Sequence, residues 1–177
     1  MHRSCTWSVY LEVADELANV LRHVGDTLPR QLVHTDANES NVLVDESDTQ
    51  ILGIIDFGEM NVGHRAMDVA HAMAYQMAFS RGDRMEPAVC ILKGYLSVNP
   101  LLPTEIDVLP VMIMGRMAQS IVLGAYSAAQ DPSNESYIMD GKDGMWAVVQ
   151  HIREVGPGKM ADMLKAAVQS ENENVES

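Results

Sequence analysis

The chain has 177 residues, enough for one domain with a sizeable hydrophobic core, and hydrophobic residues make up 47% of it. It carries 12 Lys and Arg against 25 Asp and Glu, which gives a formal net charge of −13 at pH 7. So acidic a chain would repel phosphates and is a poor candidate for nucleic-acid binding, whereas its charge suits a cationic small molecule.

The first third of the chain predicts a helix followed by a small β-hairpin. Apolar residues recur at helical spacing over residues 7–24, and Gly25 follows as a natural helix end. Two short apolar runs, 42–44 and 51–55, flank a polar turn and predict the two strands of the hairpin. The segments on either side of this region are predicted to be a connector and a loop: 26–31 and 58–63.

The rest of the chain predicts helices separated by Gly, Pro and Asp. The predicted helices are 65–79, 86–98, 105–129, a broken helix that starts at Ser133 or Asn134 and runs to 155, and 159–168. Residues 169–177 are polar and acidic, and we expect a disordered tail there. The predicted fold class is therefore α+β and mainly helical, with one domain over 1–168.

Neither the N-terminus nor the longest apolar stretch predicts a membrane or export signal. The first ten residues lack the apolar core of a signal peptide. The apolar stretch 108–126 contains a proline, Arg116 and a glutamine, so we expect a buried helix rather than a membrane span. Cys5 and Cys90 show no metal-binding spacing and are expected to be free thiols. We expect a cytoplasmic protein without a membrane partner.

The stretch 32–57, LVHTDANESNVLVDESDTQILGIIDF, carries the strongest functional signal. His34 and Asp36 lead by H-x-D-x4-N to Asn41, and D-F-G begins at Asp56, twenty residues after Asp36. Asn41 precedes the first predicted strand and Asp56 follows the second, and an antiparallel pair brings those two ends together. The alternative is that these polar residues only serve turns.

This pattern is typical of phosphoryl transfer. That reaction needs Mg²⁺ held by hard oxygen ligands and a carboxylate that orients the attacking hydroxyl and accepts its proton. We therefore predict Asp36 as the catalytic base, Asn41 and Asp56 as metal ligands, and His34 as structural support for the loop. A protein kinase would close an activation segment with A-P-E, which this chain lacks, so the pattern favours a small-molecule kinase.

The residues HTDANESNVLV and GIIDFGEMNVGHRAMDVAHA resemble the aminoglycoside phosphotransferase and choline kinase superfamily, and within it the hydroxylysine kinases. The similarity continues through GYLSVNPLLPTE and GRMAQSIVLGAYS and spans most of residues 30–155. It implies the C-terminal lobe of the protein-kinase-like fold. It also implies Mg²⁺-dependent transfer of the γ-phosphoryl group of GTP or ATP to the hydroxyl of 5-hydroxylysine or a related amino compound. Its pattern gives Asp68 the role of a structural anchor.

The sequence departs from that family in two places. The family has Gly between the His and the Asp of the motif where this chain has Thr35, and a β-branched residue resists positive φ, so either the loop is altered or the position is undemanding. The residues before His34 predict a helix rather than an N-terminal lobe, and no glycine-rich phosphate loop is present. We therefore expect a C-terminal lobe alone, which self-associates through the face left by the missing lobe. The alternative function is a truncated, catalytically inactive binding module.

Three further residues are candidates for substrate binding. Arg116 lies in an apolar helix and needs a partner, which is either the carboxylate of an amino-acid substrate or an internal acid such as Asp68. Glu39 and Glu59 lie beside the catalytic residues and are candidates for a substrate ammonium, although exposed acids often have no such role.

A rival hypothesis is a transition-metal site in a hydrolase or metal-binding module. His64, Asp68 and His71 fall at i, i+4 and i+7, which places them on one face of a helix. The sequence shows no further ligand at a suitable spacing.

Overall fold

The computed structural model describes residues 3–47 and 49–169. Within those ranges the chain is mainly helical, with two small antiparallel sheets of two strands each. The elements are α1 Arg3–Val24, β1 Arg30–Val33, β2 Val42–Val44, β3 Ile51–Ile54, β4 Asn61–His64, α2 Arg65–Phe79, α3 Met85–Leu96, α4 Pro103–Gln130, α5 Glu135–Ile138, α6 Lys142–Val155 and α7 Pro157–Gln169.

The helices lie where the apolar spacing predicts them. α2 has the predicted bounds, and the ends of the other long helices differ from the predicted ones by a few residues. The broken helix before residue 155 is interrupted at Gly141. This glycine directly precedes α6 and has a φ of +73°. The predicted tail 169–177 lies outside the described residues except for Gln169, which ends α7.

The predicted hairpin is confirmed as β2 and β3. Val42 pairs with Ile54 and Leu43 with Gly53, and an irregularity in register follows Leu43. Asp45 closes the turn by accepting hydrogen bonds from the backbone N–H groups of Thr49 and Gln50. Together with the bond from the Ser47 hydroxyl, these bonds hold the pKa of Asp45 well below its usual value.

A second sheet occupies part of the predicted connector 26–31 and of the predicted loop 58–63, so those two predictions were wrong for residues 30–31 and 61–63. β1 pairs with β4 in antiparallel register, from Arg30 opposite His64 to Val33 opposite Asn61. Each strand has only four residues, too few for a clear alternating pattern. This sheet positions the loop between β1 and β2, because β1 leads directly into His34 and β4 leads directly into α2.

The core is built around α4, which packs against α1, α2, α6 and α7. Its most deeply buried hydrophobic side chains are Leu109, Met112, Ile113, Met114 and Met117. By length and composition α4 would suffice to cross a membrane, but half of its most apolar window is buried inside the protein. The core contacts therefore account for its apolar residues.

A buried ion pair ties the start of α2 to the start of α4. Glu105 is 0% exposed, and its two carboxylate oxygens accept hydrogen bonds from Nε and Nη2 of Arg65 at 2.8 and 2.7 Å. Glu105 also accepts a bond from the backbone N–H of Leu102 at 2.8 Å. The bidentate geometry and the third donor compensate for burial of the carboxylate.

Candidate active site

Asp36 lies in the loop between β1 and β2, and both of its carboxylate oxygens are hydrogen-bonded. Asn41 is 7% exposed, and its Nδ2 donates to Oδ2 and to the backbone oxygen of Asp36 at 2.9 Å each. Arg116 of α4 donates from Nη2 to Asp36 Oδ1 at 2.6 Å. The structure thus brings Asp36 and Asn41, predicted as base and metal ligand, into direct contact.

The backbone just before Asp36 is held by two side chains of α2. The carboxylate of Asp68 accepts hydrogen bonds from the N–H groups of His34 at 2.9 Å and Thr35 at 2.7 Å. His71 Nδ1 donates to the carbonyl oxygen of Thr35 at 2.6 Å. This geometry suits the anchoring role predicted for Asp68, because a carboxylate accepting two N–H groups fixes the backbone that bears them.

Thr35 adopts a φ of +66°, in the left-handed region. The position where the family has Gly therefore requires a positive φ. In this chain a β-branched residue adopts that φ, at a cost of about 1–2 kcal/mol. The bonds from Asp68 and His71 hold the strained backbone. The Thr35 hydroxyl also lies within donating distance of the carbonyls of His34 at 2.7 Å and Glu59 at 3.0 Å.

The His34 ring connects the loop to the end of β3. Its Nδ1 accepts from the backbone N–H of Asp36 at 3.3 Å, and its Nε2 donates to the carbonyl of Ile55 at 2.9 Å. An acceptor at one nitrogen and a donor at the other correspond to the Nε2–H tautomer. The ring also packs against Phe57, with 5.0 Å between the ring centroids.

Asp56 follows β3 and has a φ of +62°. The backbone N–H of Ile55 donates to the carbonyl of Asn41 at 3.0 Å, which places Asn41 and Asp56 at the same end of the hairpin. The Asp56 side chain is exposed and accepts a long bond of 3.4 Å from the N–H of Gly58. An amide oxygen and an exposed carboxylate are hard donors of the kind that Mg²⁺ prefers, so these residues fit that metal.

Arg116 pairs with an internal acid, as one of the two alternatives predicted, but that acid is Asp36 rather than Asp68, the example named from the sequence. Arg116 is further held by the hydroxyl of Tyr75, which accepts from Nη2 at 2.7 Å and from Nε at 3.1 Å. Its Nη1 makes a longer contact of 3.4 Å with Gln119. Sequence reasoning missed Tyr75, although a signal exists. Asp68, His71 and Tyr75 recur at i, i+3 and i+7 as polar residues among the many apolar residues of α2.

The rival transition-metal site is not formed. His64 ends β4 rather than lying on α2. Both carboxylate oxygens of Asp68 and Nδ1 of His71 are bonded to the backbone of residues 34–35. Among residues 3–47 and 49–169, no group of three or more His, Cys, Asp or Glu side chains is arranged to hold a metal ion. Burial, and then the positive charge of Arg116, lower the pKa of His71 to about 4, so the imidazole is neutral at pH 7.

Glu39 and Glu59 lie in short 3₁₀ turns next to the loop, and both side chains are exposed. Neither carboxylate takes part in the hydrogen bonds that hold Asp36.

A cavity of about 540 Å³ lies between α1, α2 and α4. Its polar lining includes Arg116, His71 and Gln119, and the rest is largely apolar. Because Arg116 also binds Asp36, the cavity borders the loop that bears Asp36.

Comparison with known proteins identifies phosphotransferase relatives. The model of the APH phosphotransferase enzyme family matches residues 3–105. A hydroxylysine kinase from Bos taurus is 32% identical over 149 residues, which cover 80% of this chain and 38% of that protein. A hydroxylysine kinase from Mus musculus is 34% identical over 130 residues, which cover 70% of this chain and 34% of that protein.

A hydroxylysine kinase from Danio rerio is 36% identical over 109 residues, which cover 60% of this chain and 30% of that protein. The chain thus spans about a third of the length of these curated relatives. No solved structure matches it significantly. The family match covers more than half of the chain and includes the whole loop from His34 to Asp56, and the chain therefore belongs to the APH phosphotransferase enzyme family.

Proposed function

We propose that this chain carries the catalytic site of a small-molecule kinase, which transfers the γ-phosphoryl group of GTP or ATP to the hydroxyl of 5-hydroxylysine or a related amino compound. The single observation that carries the proposal is the contact between Asp36 and Asn41 at the end of the hairpin that also bears Asp56. Family membership and the similarity to hydroxylysine kinases support the reaction class and the acceptor.

In the proposed mechanism, Asp36 orients the acceptor hydroxyl and takes its proton as the oxygen attacks the γ-phosphorus. The bond from the γ-phosphorus to the β,γ-bridging oxygen breaks, and the nucleoside diphosphate leaves with that oxygen. Asn41 has two proposed functions. Its Nδ2 donates to Asp36 and fixes that carboxylate, and these bonds leave its Oδ1 available as a metal ligand. That oxygen and the Asp56 carboxylate would hold Mg²⁺, which would supply positive charge to stabilise the developing negative charge of the transferred phosphoryl group. The base and the metal ligand are thus fixed relative to each other by one side chain.

The substrate's ammonium groups are proposed to lie near Glu39 and Glu59. Both carboxylates are exposed on turns that flank the loop. Exposed charge pairs contribute little each, so these residues would tune affinity rather than decide it.

We assign the chain to the C-terminal lobe of a kinase-like fold, with a nucleotide-covering lobe seated on the two small sheets. The support is an apolar surface on those sheets, where large side chains remain exposed. The most exposed are Leu32 at 60%, Ile51 at 71%, Leu52 at 68%, Phe57 at 54% and Val62 at 61%. Large apolar side chains exposed in this number are typical of a surface that another lobe or chain covers, so self-association is expected when they are uncovered.

The proposal is tested by incubating the purified protein with γ-labelled GTP or ATP, Mg²⁺ and 5-hydroxylysine. We expect labelled phosphate ester, its loss on chelation of Mg²⁺, and a large reduction for Asp56→Asn, which removes a metal-binding charge. An exposed matched variant, Asp140→Asn, should retain the rate. Nucleotide binding without any ester product would instead indicate the inactive binding module.

A further inference from the structure

We propose that Arg116 recognises a carboxylate of the acceptor, and that it does so by exchanging partners, leaving Asp36 for the substrate. This inference rests on the proposed function for the role of Asp36. It makes acceptor recognition and release of the base a single event, and it defines the substrate class as hydroxy acids rather than amino alcohols without a carboxylate.

The ion pair holds Asp36 in a conformation that is not free to act on a hydroxyl. Arg116 Nη2 binds Oδ1 at 2.6 Å, while Asn41 binds Oδ2. The two side chains of the ion pair are largely but not fully buried, with 18% of Arg116 and 24% of Asp36 exposed. A ligand can therefore reach the pair, and a competing carboxylate would meet a partly desolvated cation.

The guanidinium is poised for such an exchange. Tyr75 holds Nε and Nη2, so the group stays anchored when Asp36 leaves. On the outer edge, Nη1 makes only the 3.4 Å contact with Gln119. A carboxylate that binds Nη1 and Nη2 side by side forms a bidentate pair, which is stronger than the single bond now made to Asp36.

The neighbouring cavity gives the substrate a place to bind. Arg116 lines the cavity of about 540 Å³ between α1, α2 and α4, whose apolar walls include Leu17 and Met112. These walls can contact a short carbon chain. Because Arg116 and Asp36 are neighbours, the carboxylate and the hydroxyl of the acceptor must be joined by a short chain, as they are in 5-hydroxylysine.

Equilibrium binding tests the recognition step without depending on turnover. The purified protein is titrated calorimetrically with 5-hydroxylysine and with its decarboxylated analogue, 1,5-diaminopentan-2-ol. We expect the wild type to prefer 5-hydroxylysine by about tenfold or more, as a charge-assisted pair contributes. Arg116→Gln should abolish that preference. Arg153→Gln, which removes an exposed pair with Glu12, should retain it.

Asp36→Asn tests the exchange itself, since it removes the competing carboxylate. We expect it to bind 5-hydroxylysine about threefold to tenfold more tightly than the wild type, with unchanged affinity for the analogue. A gain in affinity does not arise from misfolding, and a purely structural role of Arg116 would not produce it. Unchanged or weaker binding of 5-hydroxylysine by Asp36→Asn would overturn the exchange.

The remaining outcomes are equally decisive. Equal affinity of the wild type for the two compounds, no binding of either, or a preference that survives Arg116→Gln would overturn recognition by Arg116. A carboxylate preference without phosphate transfer would support this inference and refute the proposed function. Phosphate transfer without that preference would refute this inference alone.

Discussion

His71 makes the stability of this protein depend on pH in a way that can be isolated by one substitution. The imidazole is buried on α2 with its Nδ1 bonded to the carbonyl of Thr35. Burial and Arg116 lower its pKa from 6.5 to about 4, despite the opposing influence of Asp68 and Asp36. Between about pH 6.5 and 4, His71 is therefore mostly protonated in the unfolded chain and mostly neutral in the folded protein.

The sign and size of the effect follow. A pKa that is lower in the folded state gives stability that is present above about pH 6.5 and is lost as the pH falls toward 4. At about 1.4 kcal/mol per pH unit, the loss contributed by His71 between roughly pH 7.5 and pH 5 is about 2 kcal/mol. For a chain of this size, that corresponds to a decrease in melting temperature of roughly 4–8 °C.

The assay compares wild type with His71→Gln by urea unfolding at several pH values. Other groups titrate equally in both proteins, so the difference between the two unfolding free energies isolates His71. We expect the wild-type value to fall more steeply than that of His71→Gln below about pH 6.5, and the two to run parallel above pH 7. Parallel curves across the whole range would refute the buried neutral imidazole.

Other predictions concern the scaffold. Arg65→Met should lower the unfolding free energy by roughly 3–5 kcal/mol, since it leaves Glu105 buried and uncompensated; a thermal melt unchanged within error would contradict this. Gly144→Ala should destabilise strongly because a Cβ there would lie 2.2 Å from a backbone oxygen of α2, whereas Gly94→Ala meets open space and should stabilise by about 0.5–1 kcal/mol, as denaturant unfolding can check. Thr35→Gly should be more stable than Thr35→Ala by about 1 kcal/mol, because both lack the hydroxyl but only glycine relaxes the positive φ; equal stabilities would argue against strain.

Local patterns in the sequence were sufficient to predict the helices and the hairpin. Helical apolar spacing over α2 located that helix with its correct bounds. The hairpin followed from two apolar runs that flank a polar turn, a pattern that spans few residues. β1 and β4 were missed because each has four residues and they pair across about thirty residues of chain, so no local pattern records their contact.

The site was predictable where its residues are close in sequence and unpredictable where they are not. Asp36 and Asn41 are five residues apart, and their contact follows from the loop. Arg116 reaches Asp36 across 80 residues, and only the packing of α4 against α2 brings the two together. A charge in an apolar helix predicts that a partner exists, but it does not predict which acid fills that role.

The catalytic role of Asp36 is the central claim, and the rate of phosphoryl transfer by Asp36→Asn tests it most directly. Asparagine keeps the shape of the side chain and removes its capacity to accept a proton. We predict that the rate of ester formation falls by about 10²–10⁴-fold relative to wild type, while the affinity for Mg²⁺ and nucleotide stays within a few fold. Ester formation by Asp36→Asn at the wild-type rate would contradict the assignment of Asp36 as the base.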